Sequence, residues 1–472
     1  MSCARFQGAG LGAWHPDKRG DPPLQLSDAE KSALKFETPN LGPHPAPGEQ
    51  PGGPRPAGRD RKRLAFVIAH LGPGGAQRVA VNAANTLVDR GIDLHVILVG
   101  ENKNVYRLDP RITLHAAGAG SAVDDASDAD TIETKRKSNL DTRGGKDRGS
   151  GGVIGLARKL LPHGTFRGAI SRYVLTPAFF AAGLAKRTFW LRRKIKSIEA
   201  DAVLSFLTQT NILTVLATRG LNTRTVISER NDPRLQRHRR RVELLRKFLY
   251  RHADIVTANS RGALTALEAF VPRDKLAFLP NPLALPASIE VKSLEAPTII
   301  TVGRLVEQKG LDVLIAAWAS AAPRLPGWRL AIVGDGPLRG ELEALAQTLG
   351  VANSIDWYGH LTDPFPLVCA AKFFVLTSRF EGTPNALLEA MACGLPSVVS
   401  DASPGPCELA GEDESAGLIV PVEDASATAD AIVKLASNEP LRKRLSAGAL
   451  DRASEYEADR ALSVWLKLLR CE

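Results

Sequence analysis

Apolar residues along this chain fall into short continuous runs separated by glycine turns and amphipathic stretches. "RLAFVIA" (63–69) is one such run, and a glycine turn follows it. "AQRVAVNAANTLVDRG" (76–91) then places apolar residues at helical spacing and ends on Gly91, a natural helix C-cap. "DLHVILVG" (93–100) is the next apolar run. Strand, helix and strand in that order predict a β-α-β unit and a parallel sheet. The alternation continues with a long basic helix over about 171–199, a strand "AVLSFL", a helix near 211–219 and a strand "TRTVISE". A very basic helix over about 233–251, a strand "DIVTAN", a helix near 261–269 and the run "KLAFLPNPLALP" close the first array.

The pattern then restarts. "APTIITVGRL", "WRLAIVGDGP", "SIDWYGH", "KFFVLTSRFEG" and "PSVVSD" read as strands with their turns, and amphipathic segments between them read as helices. Two successive arrays predict an α/β protein with two facing, Rossmann-like, doubly wound parallel sheets. Ligands of open α/β sheets sit off the carboxyl ends of the strands, so the site is expected in the cleft between the domains. The expected boundaries are 61–284 for an N-terminal domain, 285–296 for a linker and 297–450 for a C-terminal domain. A last helix, 451–472, is expected to pack back toward the N-terminal domain. Residues 1–60 are rich in proline and glycine and are expected to be disordered, and 118–152 reads as a mobile insertion.

Composition narrows the class. The chain has 472 residues, 44% hydrophobic and 24% charged, which is globular and long enough for two domains. A net charge of +10 points to an anionic partner: nucleic acid, lipid or phosphate. No nucleic-acid module is legible, so nucleic acid is not expected as a partner. No run approaches the roughly 20 apolar residues of a bilayer span, and no signal peptide is legible. The expectation is a cytoplasmic protein, peripheral on the inner face of the membrane. Five scattered cysteines suggest a reducing compartment without a disulfide framework, with Cys393 as a small core residue.

Candidate chemistry gathers at the strand-to-helix turns. In "SRFEGTPNALLEAMACGLP" (378–396), Glu381 lies in the turn and Glu389 inside the following helix. Thr383 is a good N-cap and Pro384 a good first helical residue, so the helix start offers free N–H groups to an anion. Glu381 beside a phosphate suits sugar hydroxyls, and Glu389 suits a ribose. The bland alternative is dipole support for Glu381 and a solvated face for Glu389. "TVGRLVEQKGLDVL" (301–314) places Gly303 and Arg304 after a strand and Lys309 before a helix, two cations suited to a diphosphate. "GPGGAQR" (72–78) is a glycine turn, with Gly72, Gly74 and Gly75 able to bring backbone close to a ligand. "GDGP" with Gly334 is a weaker turn signal. There is no G-x-x-x-x-G-K-[ST], which argues against a P-loop NTPase, and no strict dinucleotide fingerprint.

Together, the Glu381/Glu389 pair, "GRL…QKG", "VGDGP" and "EGTPNALLEAMACGLPSVVSD" resemble the retaining glycosyltransferases of family 4, which have the GT-B fold. The resemblance spans roughly 64–465 and is strongest over 297–437. It implies a nucleotide-sugar donor, most commonly UDP-linked, transfer with retention, and neither a cofactor nor a bound metal. It also implies roles. Glu381 contacts the transferred sugar, Glu389 the ribose, and Arg304 and Lys309 the diphosphate, with Glu381, Arg304 and Lys309 forming the catalytic set. Gly303, Gly334, Gly382, Thr383, Pro384 and Asn385 complete the donor site, and Gly72, Gly74 and Gly75 approach phosphate and acceptor. "VISERNDPR" and "LPNPL" resemble members that extend lipid-linked or surface polysaccharides, which makes Glu229, Arg230 and Asn281 candidate acceptor-site residues. Glu229 and Arg230 have the alternative of pairing with each other. The basic runs at 186–198 and 234–252 mix cations with apolar residues and suit an anionic membrane face. The rivals are an epimerase or phosphorylase-like enzyme on the same fold, and a non-catalytic membrane-binding module.

Overall fold

The computed structural model describes residues 61–72, 74–100, 105–116, 176–236, 238–283, 285 and 294–471. The segments 1–60 and 118–152 lie outside these residues, as does most of 285–296.

The first sheet holds β1 (Arg63–Ile68), β2 (Asp93–Leu98), β3 (Thr113–Ala116), β4 (Ala202–Phe206), β5 (Arg224–Glu229), β6 (Ile255–Ala258) and β7 (Leu276–Phe278). All its pairings are parallel, in the order β3-β2-β1-β4-β5-β6-β7. The second holds β8 (Thr298–Val302), β9 (Arg329–Val333), β10 (Ile355–Gly359), β11 (Phe373–Leu376), β12 (Ser397–Ser400) and β13 (Gly417–Val420), all parallel, in the order β10-β9-β8-β11-β12-β13. Each sheet reverses direction at its first strand, and the crevice off that reversal is where an open α/β sheet takes its ligand.

Burial follows the expected pattern. β1 and β4 are buried on both faces because helices cover both. Helix α1 (Gly75–Asp89) sends Val79, Ala83 and Leu87 into that core. α2 (Thr176–Ile198) closes the other face with Leu191 and Ile195. α3 (Thr208–Thr218), α4 (Arg240–Leu249) and α5 (Arg261–Leu267) complete this layer of the first domain, and α6 (Leu311–Ala321), α7 (Arg339–Thr348) and α8 (Phe365–Val368) belong to the second. The C-terminal helix Ala458–Leu469 belongs to the same core. Trp465 is fully buried against Phe66 and Phe206, and its indole N–H donates to the Pro280 carbonyl at 2.9 Å.

Some expectations need correction. The basic helix expected over 233–251 is shorter, because Asp232 accepts from the Arg234 backbone N–H at 2.8 Å and holds a turn there. β3 had no apolar run to announce it; it is a short edge strand of mostly exposed residues. Cys369 and Cys393 are joined in a disulfide, with Cα atoms 5.0 Å apart, rather than being unpaired thiols. Their separation of 24 residues carries no motif, and it is the packing of two helix ends beside β11 that brings them together.

Candidate active site

The turns after β8 and β11 flank the reversal of the second sheet, so the two stretches singled out in the sequence meet. Lys309 Nζ lies 2.5 Å from Glu381 Oε1, and the Ser378 hydroxyl donates to the same oxygen at 2.9 Å. The Glu381 N–H donates to Ser403 Oγ at 3.0 Å, which fixes the turn from the β12 side. Gln308 clamps the two turns: its carbonyl accepts from the Arg379 N–H at 2.7 Å and its amide donates to the Phe380 carbonyl at 2.9 Å. Gly310 makes this approach feasible. Its φ is +58°, and a Cβ there would sit 2.1 Å from the Thr377 carbonyl oxygen. Glu381 is 8% exposed, so its carboxylate is held by Lys309 and Ser378 rather than by water. Arg304 is half-buried on the same turn as Lys309. Gly334 packs behind Gly303, where a Cβ would meet the Gly303 carbonyl at 1.8 Å.

The helix after β11, α9 (Asn385–Ala392), starts one residue later than expected. Pro384 is its N-cap and no side chain caps it. Thr383 instead donates its hydroxyl to the Asn259 carbonyl across the cleft, because a buried interdomain carbonyl needs a donor. No N-cap side chain therefore accepts from the first-turn N–H groups of α9, which lie at the positive end of the helix dipole.

The two domains touch at this point. Asn281 donates to the Thr383 carbonyl at 3.1 Å and to Asn385 Oδ1 at 2.6 Å. Asn385 in turn donates to the Gly75 carbonyl at 3.2 Å, so the glycine loop does approach the helix start. The Gly74 N–H donates to the Tyr106 hydroxyl at 3.2 Å, and the Gly72 N–H is engaged by the His70 ring at 3.0 Å. Glu389 is 6% exposed and ion-paired with Arg78 of α1, so it is neither a solvated face nor open to a ribose in this arrangement. Burial pulls the Arg78 guanidinium below its usual range. The cavity that Arg78, Asn82, Asn385 and Glu389 share is about 10 Å³, room for one water.

Glu229 and Arg230 do not pair. Glu229 faces inward, bonded to the Tyr250 hydroxyl and, at 2.9 Å, to the Thr208 hydroxyl. Burial raises its carboxyl above its ordinary value and raises the Tyr250 phenol well above its own. His238 extends the network, 3.0 Å from Thr208 Oγ1. Glu229 is thus part of the N-terminal domain's interior and not an acceptor-site group. Arg230 and Asn281 do reach the cleft wall.

Sequence reasoning singled out neither Arg78, Asn259, Ser403 nor Glu408. Glu408 accepts from the Arg261 and Gly262 N–H groups at 2.9 and 2.7 Å, joining the domains at a second point. Asn259 directly follows β6, Ser403 and Glu408 lie shortly after β12, and Arg78 lies in the first turn of the helix after β1, which is the only signal the sequence holds for them.

Residues 288–452 match the model of glycosyl transferases group 1, and residues 74–282 match the glycosyl transferase 4-like domain. A 4-alpha-N-acetylgalactosaminyltransferase of Campylobacter jejuni, named for an N-acetylgalactosamine-N,N'-diacetylbacillosaminyl-diphospho-undecaprenol substrate, is 30% identical over 278 residues, 56% of this chain and 75% of the relative. The chain belongs to the group 1 glycosyltransferases. A second C. jejuni enzyme, an alpha-1,4-N-acetyl-D-galactosaminyltransferase acting on a PP-undecaprenol-linked glycan, is 26% identical over 417 residues, covering 86% of this glycosyltransferase and 98% of the relative. HepE of Anabaena, solved in complex with UDP, superposes with a TM-score of 0.62 at 16% identity, covering 87% of this chain and 100% of that one. The fold is GT-B.

Proposed function

We propose that the protein moves a hexose or N-acetylhexosamine from a UDP-sugar to a lipid-linked or polysaccharide acceptor in cell-surface glycan synthesis, with retention and without a bound metal. The observation that carries this reading is the meeting of Lys309 and Glu381 at the sheet reversal, beside the uncapped start of α9. A diphosphate there meets Arg304, Lys309 and the helix dipole, which supply the charge that a departing diphosphate needs. Glu381 positions the sugar hydroxyls. The C1–O bond to the terminal phosphate breaks with its electron pair on the phosphate oxygen. The acceptor hydroxyl oxygen bonds to C1 on the same face, and its proton passes to the released phosphate. Glu389 takes the ribose once Arg78 has withdrawn. The relatives named for diphospho-undecaprenol substrates support a lipid-linked acceptor.

Such an acceptor places the enzyme on a membrane face. No described helix is long and apolar enough to cross a bilayer. α4 instead presents Leu244 and Phe248, 60% and 57% exposed, among Arg240, Arg241, Lys247 and Arg251, a surface suited to anionic lipid.

The test is thermal stability against UDP, GDP, ADP and their common sugars without added metal. A ligand at a hundredfold excess over its Kd adds about 2.7 kcal/mol to the native state. The expected result is a shift with UDP that is lost in Arg304→Ala. No shift with any nucleotide at millimolar concentration overturns the reading.

A further inference from the structure

Arg230 follows the last residue of β5, on the N-terminal wall of the cleft. It is 5% exposed, yet no carboxylate among the described residues neutralises it. Its guanidinium donates to the Asn281 side-chain oxygen and, weakly, to Ser228 Oγ at 3.4 Å, and it lies 5.8 Å from the centre of the Phe206 ring. A buried cation with only neutral partners is costly, and cores ordinarily avoid it. Burial pulls its pKa down to about 9, which still leaves it charged at neutral pH. The fold therefore keeps a bare positive charge at this place.

The place is informative. Asn281, which orients the guanidinium, also donates to the Thr383 carbonyl and to Asn385, the first residue of α9. The Arg230 carbonyl packs on Gly382, where a Cβ would lie 2.1 Å from it. Side by side with it, Asn259 Oδ1 is buried without a partner and faces the same glycine at 2.7 Å from that Cβ position. Arg230 is thus tied by one amide to the start of α9, in the domain that carries Arg304, Lys309 and Glu381.

We propose that Arg230 is a third cation for the diphosphate, delivered from the N-terminal domain when the cleft closes; this rests on the nucleotide-sugar reading above. As the C1–O bond breaks, its electron pair adds negative charge to the terminal phosphate, and Arg230 donates N–H groups to that oxygen while the acceptor proton arrives there. Because Arg304 and Lys309 sit on one domain and Arg230 on the other, the full charge is assembled only in the closed state. A diphosphate on a lipid acceptor offers the same chemistry, so the test has an arm for each source.

The experiment uses the full chain with Arg230→Met, which keeps volume and removes charge, and Arg230→Lys. The probes are UDP, uridine and geranyl diphosphate, read by calorimetry and melting temperature. The expected result is at least a tenfold loss of UDP affinity in Arg230→Met, partial recovery in Arg230→Lys, and unchanged uridine affinity. The ligand-free melting temperature of Arg230→Met should be equal or higher, because an uncompensated charge has gone. Wild-type UDP affinity in Arg230→Met overturns the proposal. A drop in ligand-free melting temperature, with uridine and UDP weakened alike, also overturns it, in favour of a structural arginine. Loss confined to geranyl diphosphate overturns the leaving-group role and assigns Arg230 to the acceptor. If the wild type ignores every nucleotide, the nucleotide-sugar reading fails first, separately from these outcomes.

Discussion

Arg78 on the first helix of the N-terminal domain and Glu389 on α9 of the other domain form an ion pair across the cleft. Glu389 is the carboxylate assigned to the donor ribose, so the ribose and Arg78 compete for one group. Arg78→Met should therefore tighten the binding of uridine, which carries a ribose and no phosphate, by several-fold. Glu389→Ala should weaken UDP at least tenfold, because it removes the ribose acceptor altogether. Calorimetry with uridine and UDP decides. Weaker uridine binding in Arg78→Met would make Arg78 a donor ligand rather than a competitor.

Glu381 shares its Oε1 between Lys309 and Ser378. Glu381→Gln keeps the shape and removes the charge that faces the Lys309 ammonium. UDP binding should then hold or strengthen, since Lys309 is freed for phosphate. Sugar transfer should fall by about a hundredfold or more, the usual cost of losing a positioning contact. The check is UDP release from UDP-N-acetylhexosamine beside UDP affinity on the same preparation. Retained turnover would remove Glu381 from the reacting centre.

Much of this site was legible because its residues sit in strand-to-helix turns with strong local chemistry. "GRL…QKG" and "EGTPNALLE" announce glycine turns, cations and carboxylates within a few residues of each other. What the sequence could not state is which turns meet. Lys309 and Glu381 are 72 residues apart and touch only because β8 and β11 are neighbours at the reversal of the sheet. Interdomain choices were hidden for the same reason. Thr383 had every local mark of an N-cap, yet its hydroxyl serves the Asn259 carbonyl, which lies 124 residues away. Glu229 looked like a cleft residue because it ends a strand, but alternation along β5 and the Tyr250 hydroxyl turn it inward. The disulfide between Cys369 and Cys393 depended on packing that no spacing rule conveys.

Glu229 makes a pH prediction. Burial raises its carboxyl pKa in the native state, so the native protein holds a proton there that the unfolded chain releases. Stability from this group is full below the ordinary glutamate range and is lost as pH rises through the raised value. Glu229→Gln removes the titration and keeps an oxygen to accept from Tyr250 and Thr208. The variant should match the wild type near pH 4.5 and equal or exceed it at pH 7 to 8, with a flatter profile of urea midpoint against pH. A variant that is less stable than the wild type at pH 8 by more than at pH 4.5 would show that Glu229 is buried as a stabilising anion.

Leu244 and Phe248 stand exposed on α4 within a field of arginine and lysine, and Phe189 on α2 is 69% exposed. Leaving two large apolar side chains in water wins nothing for the fold, so their replacement should not lower the melting temperature. On an anionic membrane each inserts apolar surface worth about 1.5–3 kcal/mol if fully buried, and the cations add an attraction that salt screens. Leu244→Ser with Phe248→Ser should therefore reduce sedimentation with phosphatidylglycerol vesicles by about tenfold or more, while binding to phosphatidylcholine vesicles stays weak in both proteins. Raised salt should weaken the wild type in the same assay, because the cations make the first contact. Equal vesicle binding by the wild type and the double variant would take α4 off the membrane and return those side chains to the ordinary exposed apolar residues of a soluble surface.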